Sequence, residues 1–76
     1  MIAKLTGLLD STGTDWLVID VGGVGYQVFV SSRTLSQLPG HGQKLSLLIE
    51  SLVRNEQTQL FGFSDETERT WFRLLL

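Results

Sequence analysis

The stretch WLVIDVGGVGYQVFVSSRTLSQLPG, Trp16 to Gly40, changes period halfway along. From Trp16 to Val21 the residues alternate, with Leu17, Ile19 and Val21 on one face and Trp16, Val18 and Asp20 on the other, as in a strand. Gly22-Gly23 then supplies the two positive-φ positions of a tight hairpin. Val24 to Val30 alternates again, with Val24, Tyr26, Val28 and Val30 on one side. At SSRTLSQLPG the spacing becomes helical. Ser31 or Ser32 can cap a helix, Leu35 and Leu38 share a face three residues apart, and Pro39-Gly40 stops it after about two turns.

Working outward, Ile2 to Asp10 fits a first strand, with Gly7 a bend or bulge, and Ser11 to Asp15 is turn chemistry. On the other side Lys44 to Arg54 is a long strand in which Leu45, Leu47 and Ile49 alternate with Ser46, Leu48 and Glu50. A polar apex follows, Arg54-Asn55-Glu56-Gln57, then a fifth strand from Thr58 to Phe63. Five short strands with a helix between the third and fourth predict a mainly β fold, the OB-type Greek-key barrel. Closure removes the edges that five short strands expose. An SH3-like barrel is the nearest competitor. After Phe63 the run SDETERTWFRLLL reads as a C-terminal helix. Asp65 is its N-cap, Glu68 stands at the capping-box position, and acids fill the first turn, where the helix dipole favours them. Trp71, Phe72, Leu74 and Leu75 give it an apolar stripe. The expected division is a barrel over residues 1–63 and, over 64–76, the start of a helix leading toward a further domain. The uncapped apolar end LLL reads as the cut edge of a longer protein.

Size and charge narrow the function. A chain of 76 residues holds one core and buries only about 60% of its unfolded surface, so reliance on partner subunits is expected. It has no cysteine, hence no disulfide and no thiolate metal site. No segment is long and apolar enough to span a bilayer, and the N-terminus lacks a signal-peptide core; a cytoplasmic protein is expected. Its six basic residues are scattered and its net charge is −2, the reverse of the clustered positive charge that marks a nucleic-acid-binding domain.

No residue set supports catalysis. GGVG resembles a dinucleotide fingerprint, but it joins two strands, whereas phosphate binding needs a helix N-terminus at that point. There is no Walker lysine motif. His41 stands alone between glycines, which suits a solvated loop better than a zinc site. Asp10, Asp15 and Asp20 are not fixed as an acid–base pair. Tyr26, Phe29, Phe61 and Phe63 lie on alternating strands and are assigned to the core, since base stacking requires a basic groove beside the ring. The expectation is a chain that is not an enzyme by itself and carries no cofactor or metal.

MIAKLTG, DVGGVGYQV, LPGHGQ, VRNEQTQLFGF and ERTWFRLL, in that order along essentially the whole chain, together resemble the N-terminal domain of the RuvA family, subunits that bind Holliday junctions. The resemblance implies an OB barrel near the axis of a homotetramer lying flat on a four-way DNA junction. It also implies helix-hairpin-helix DNA contacts in a second domain. The RuvB motor ATPase and the RuvC resolvase would be engaged through the full-length protein, in branch migration during recombination, DNA repair and the SOS response. This subunit would be the non-catalytic part of that ATP-dependent machine. The turn after the fourth strand would carry an acidic pin aimed at the junction centre. The matching positions are Asn55 and Glu56. Asn55 departs from the paired acids usual there, and Arg54 could hold a phosphate beside the tip. The alternatives are a barrel that only assembles subunits without touching DNA, and a generic single-strand-binding barrel.

Overall fold

The computed structural model describes all residues, Met1–Leu76. In chain order it has β1 (Lys4–Thr12), β2 (Trp16–Val21), β3 (Val24–Phe29), α1 (Ser32–Ser36), β4 (Lys44–Arg54), β5 (Gln57–Phe63) and α2 (Glu66–Leu75). The strands close in the order β1-β2-β3-β5-β4, the Greek-key connection of the OB barrel. Every neighbouring pair is antiparallel except β3 and β5, which run parallel and meet at one rung, Phe29 opposite Phe61.

β1 serves two partners. Lys4 to Leu8 pair with β4 and Leu8 to Thr12 with β2, so the strand must curve where the two ladders overlap. Gly7 sits at that overlap. A Cβ there would lie 2.2 Å from the Asp20 carbonyl oxygen, so glycine admits the close approach of β2. The bulge lies elsewhere: the register shifts between Leu9 and Ser11, which makes Asp10 the extra residue and carries β1 through Ser11 and Thr12, where a turn was expected. The β2–β3 hairpin matches the sequence reading. Gly22 and Gly23 take φ +62° and +92°, and the Gly23 amide donates to Asp20 Oδ1 at 2.7 Å. β3 ends at Phe29, one residue short of the expected Val30, although the Val30 amide still donates to the Asp15 carbonyl in the register of the β2–β3 ladder.

The interior is aliphatic. Leu5 and Leu9 of β1, Leu17 and Ile19 of β2, Val28 of β3, Leu47 and Ile49 of β4 and Leu60 of β5 form one buried cluster with Val30. Leu35 of α1 and Leu38, just after it, pack against that cluster. Ser31 is its N-cap, accepting from the Thr34 amide.

The aromatic residues correct the sequence reading in part. Tyr26 packs against the interior cluster as expected and Phe63 is buried. Phe29, Phe61 and Phe63, however, lie on the outer strand faces, where Phe72 of α2 covers them, with ring centroids 5.1 Å from Phe61 and 5.0 Å from Phe63. They form a second cluster that fastens α2 to the outside of the barrel. Of the expected stripe on α2 only Phe72 packs inward; Trp71, Leu74 and Leu75 are exposed. Asp65 caps α2 as expected, its Oδ1 accepting from the Glu68 amide at 2.8 Å. The Glu68 carboxylate does not close a capping box. It reaches α1 instead, accepting from Thr34 Oγ1 at 3.1 Å and Ser31 Oγ at 3.4 Å. Arg73 pairs with Glu50 of β4, a second tie between helix and barrel. No helix is long and apolar enough to cross a membrane.

Candidate nucleic-acid interface

β4 outruns its neighbours. β1 pairs with it only over Lys44–Leu48. The chain ahead of β1 accompanies it a little further, through Ile49 N–H to the Ala3 carbonyl and Ser51 Oγ to the Ile2 carbonyl. Beyond Ser51 the strand pairs only with β5, through Leu52–Gln59, Val53–Thr58 and Arg54–Gln57. A two-stranded ribbon therefore stands clear of the barrel. Three residue steps at ~3.4 Å carry its tip about 10 Å beyond Ser51. Val53 to Thr58 are all exposed.

The apex is tighter than its four polar residues suggest. Arg54 and Gln57 are the last paired residues, and only Asn55 and Glu56 turn the chain. Both are left-handed, with φ +51° and +64°, the mirror-type turn that suits the right-handed twist of a hairpin. Asn tolerates this backbone, but Glu does not favour it, and the conformation costs an L-residue roughly 1–2 kcal/mol. Glycine would relieve the strain, so turn geometry alone does not account for Glu56.

The charges of the tip are uncommitted. The two ion pairs of the structure, Arg69–Glu66 and Arg73–Glu50, both involve α2, and neither the Arg54 nor the Glu56 side chain has a hydrogen-bond partner within the chain. Side-chain alternation puts Arg54 and Gln57 on the ribbon face that continues the barrel's outer surface, while Glu56 occupies the turn itself. The structure thus places all three sequence-nominated residues, Arg54, Asn55 and Glu56, on one protruding element. In an OB barrel the loop joining strands four and five is among those that contact oligonucleotides.

The sequence does not mark Val53. Alternation groups it with Leu47 and Ile49 as an inward residue, yet it is 73% exposed, because by that point β4 has passed the barrel rim. Only a comparison of strand lengths could have revealed it. His41, away from the tip, is exposed in the loop before β4.

A family model described as the RuvA N terminal domain matches residues 1–62. The chain is 63% identical over 75 residues to a protein of Rhodospirillum centenum named Holliday junction branch migration complex subunit RuvA, with 99% of this chain and 36% of that protein covered. Proteins of the same name from Parvibaculum lavamentivorans and Beijerinckia indica are 59% and 60% identical, covering 100% and 99% of this chain and 37% of each relative. The chain spans a little over a third of the length of these relatives.

Proposed function

The chain belongs to the RuvA N-terminal domain family, and from that premise we propose that it is the barrel through which a junction-binding subunit presents a charged ribbon to the centre of a four-way DNA junction. The subunit acts in branch migration as a non-catalytic, cytoplasmic homotetramer beside the RuvB motor ATPase and the RuvC resolvase. Most of the DNA affinity lies in a further domain to which α2 leads. The observation that carries this reading is the ribbon: a carboxylate held about 10 Å beyond the barrel, in a backbone conformation its side chain does not favour.

The chemistry is repulsion. Strands that cross at a junction centre bring phosphates together. A carboxylate 4 Å from a phosphate in water is repelled by about 1 kcal/mol, and salt limits that force to about 8 Å. Only a protruding group can apply it. One such pair biases the path of a strand several-fold without breaking a duplex, and fourfold symmetry would make the bias a ring. Arg54, on the ribbon's outer face, draws a phosphate and fixes where the repulsion acts. The test is Glu56→Gln in the full-length protein. Tetramer mass should be unchanged and the branch-migration rate on a synthetic junction altered about five-fold, the factor that ~1 kcal/mol represents. Unchanged kinetics would count against the tip.

The exposed apolar face of Trp71, Leu74 and Leu75 favours a second reading, a barrel that only assembles subunits. On that reading Glu56→Gln is silent.

A further inference from the structure

The ribbon has two unlike faces. The outer one is polar, with Arg54, Gln57 and Gln59. The other continues the barrel's lining past the rim: Val53 stands beside Thr58 across the ribbon, over a cavity of about 330 Å³ formed with Met1, Ile2, Ser51 and Leu60. Val53 is 73% exposed and Met1 wholly so. Neither residue belongs to the interior cluster or packs against it.

We infer that Val53 and Met1 form an apolar ledge that receives the unstacked face of a base pair flanking the crossover. The inference rests on the proposed role of the tip. When four arms are held open and flat, the base pairs at the centre lose stacking partners on one side and present flat apolar faces. Apolar side chains that meet unstacked base steps are a recurrent device of proteins that deform DNA. Val53 lies on the same ribbon as Glu56, three positions away in sequence, with Met1 beside it from the N-terminus, so a strand turned aside by the carboxylate brings its last base pair to this ledge. Repulsion sets where the phosphates cannot go, and the ledge stabilises the bases where they end up. Glu56 and Val53 act from one ribbon. A second copy of the chain is the competing occupant, but the ledge sits on a thin projecting ribbon whose other face and tip are polar, a poor shape for a subunit interface of ordinary size.

The experiment uses the full-length protein and a four-way junction with 2-aminopurine beside the crossover. Acrylamide quenching reads how far the base is shielded. The wild-type protein should shield it, Val53→Ser should lose that shielding toward the level of free junction, and Val53→Leu should retain it. Because Val53 is exposed, Val53→Ser should fold, and light scattering should give an unchanged mass. Full shielding by Val53→Ser would overturn the inference, as would a fall in oligomer mass, which would assign the ledge to subunit contact. A Glu56→Gln arm separates the two ideas. If Glu56→Gln alters migration while Val53→Ser keeps its shielding, the ledge falls and the charged tip stands. If Glu56→Gln is silent as well, the reading of the tip falls with it.

Discussion

With φ at +64°, Glu56 holds a conformation that glycine would adopt without strain. Replacing it relieves roughly 1–2 kcal/mol of left-handed strain, while the added flexibility of the unfolded chain returns about 0.4–1 kcal/mol. Glu56→Gly is therefore expected to leave the domain as stable as before or to stabilise it by up to about 1.6 kcal/mol, seen as an unchanged or raised urea midpoint, while weakening junction guidance. Clear destabilisation would show that the carboxylate supports the fold. Asn55 matters less in this respect, since Asn is among the few residues that enter this region readily. Its amide is uncharged, which leaves Glu56 as the tip's single negative charge.

The bond from Glu68 to α1 makes α1 and α2 one unit. Thr34 is 2% exposed and donates its hydroxyl proton to Glu68 Oε1, so removing the acceptor takes away that bond and leaves the buried hydroxyl only Ser31 Oγ at 3.2 Å. Glu68→Ala is expected to cost about 1–3 kcal/mol, and Glu68→Gln less because an amide oxygen remains. Urea denaturation checks both, and a change within about 0.5 kcal/mol for Glu68→Ala, typical of an uninvolved surface site, would contradict the bond's importance. Elements of this kind differ in how far the sequence discloses them. The β2–β3 hairpin is legible because two glycines admit one turn, and the β4–β5 hairpin because alternating arms flank a polar apex. The cap at Asp65 is legible too. Glu68 is not, for its spacing from Asp65 fits a capping box and only the tertiary fold shows that Ser31 and Thr34 compete for it. Alternation likewise separates the two faces of β3 and β5 but cannot say that α2 covers the outer one. That is why Phe29 and Phe61 read as core residues and prove, with the buried Phe63, to be the seat of a helix. The bulge at Asp10 gives no local signal, because the extra residue is defined only by the partner strand.

A net charge of −2 lacks the clustered positive charge with which nucleic-acid-binding domains grip their ligand, which fits the proposed guiding role of the ribbon. The 76-residue chain alone should bind a four-way junction weakly, with affinity falling further as salt rises. Tight, salt-resistant binding in a titration would place the grip within these residues. The position of the tip relative to the barrel was the least legible feature of the site. Arg54, Asn55 and Glu56 can be nominated from the sequence, but the height of the ribbon depends on β4 exceeding the length of β1's pairing, and Val53 becomes visible only with it. The most direct measurement is photocrosslinking from position 56 of the full-length protein, carrying a photoreactive side chain, to a synthetic four-way junction. Crosslinks confined to the nucleotides flanking the crossover are the predicted result. Crosslinks spread along the arms, or none from a tip that remains accessible to solvent, would contradict it.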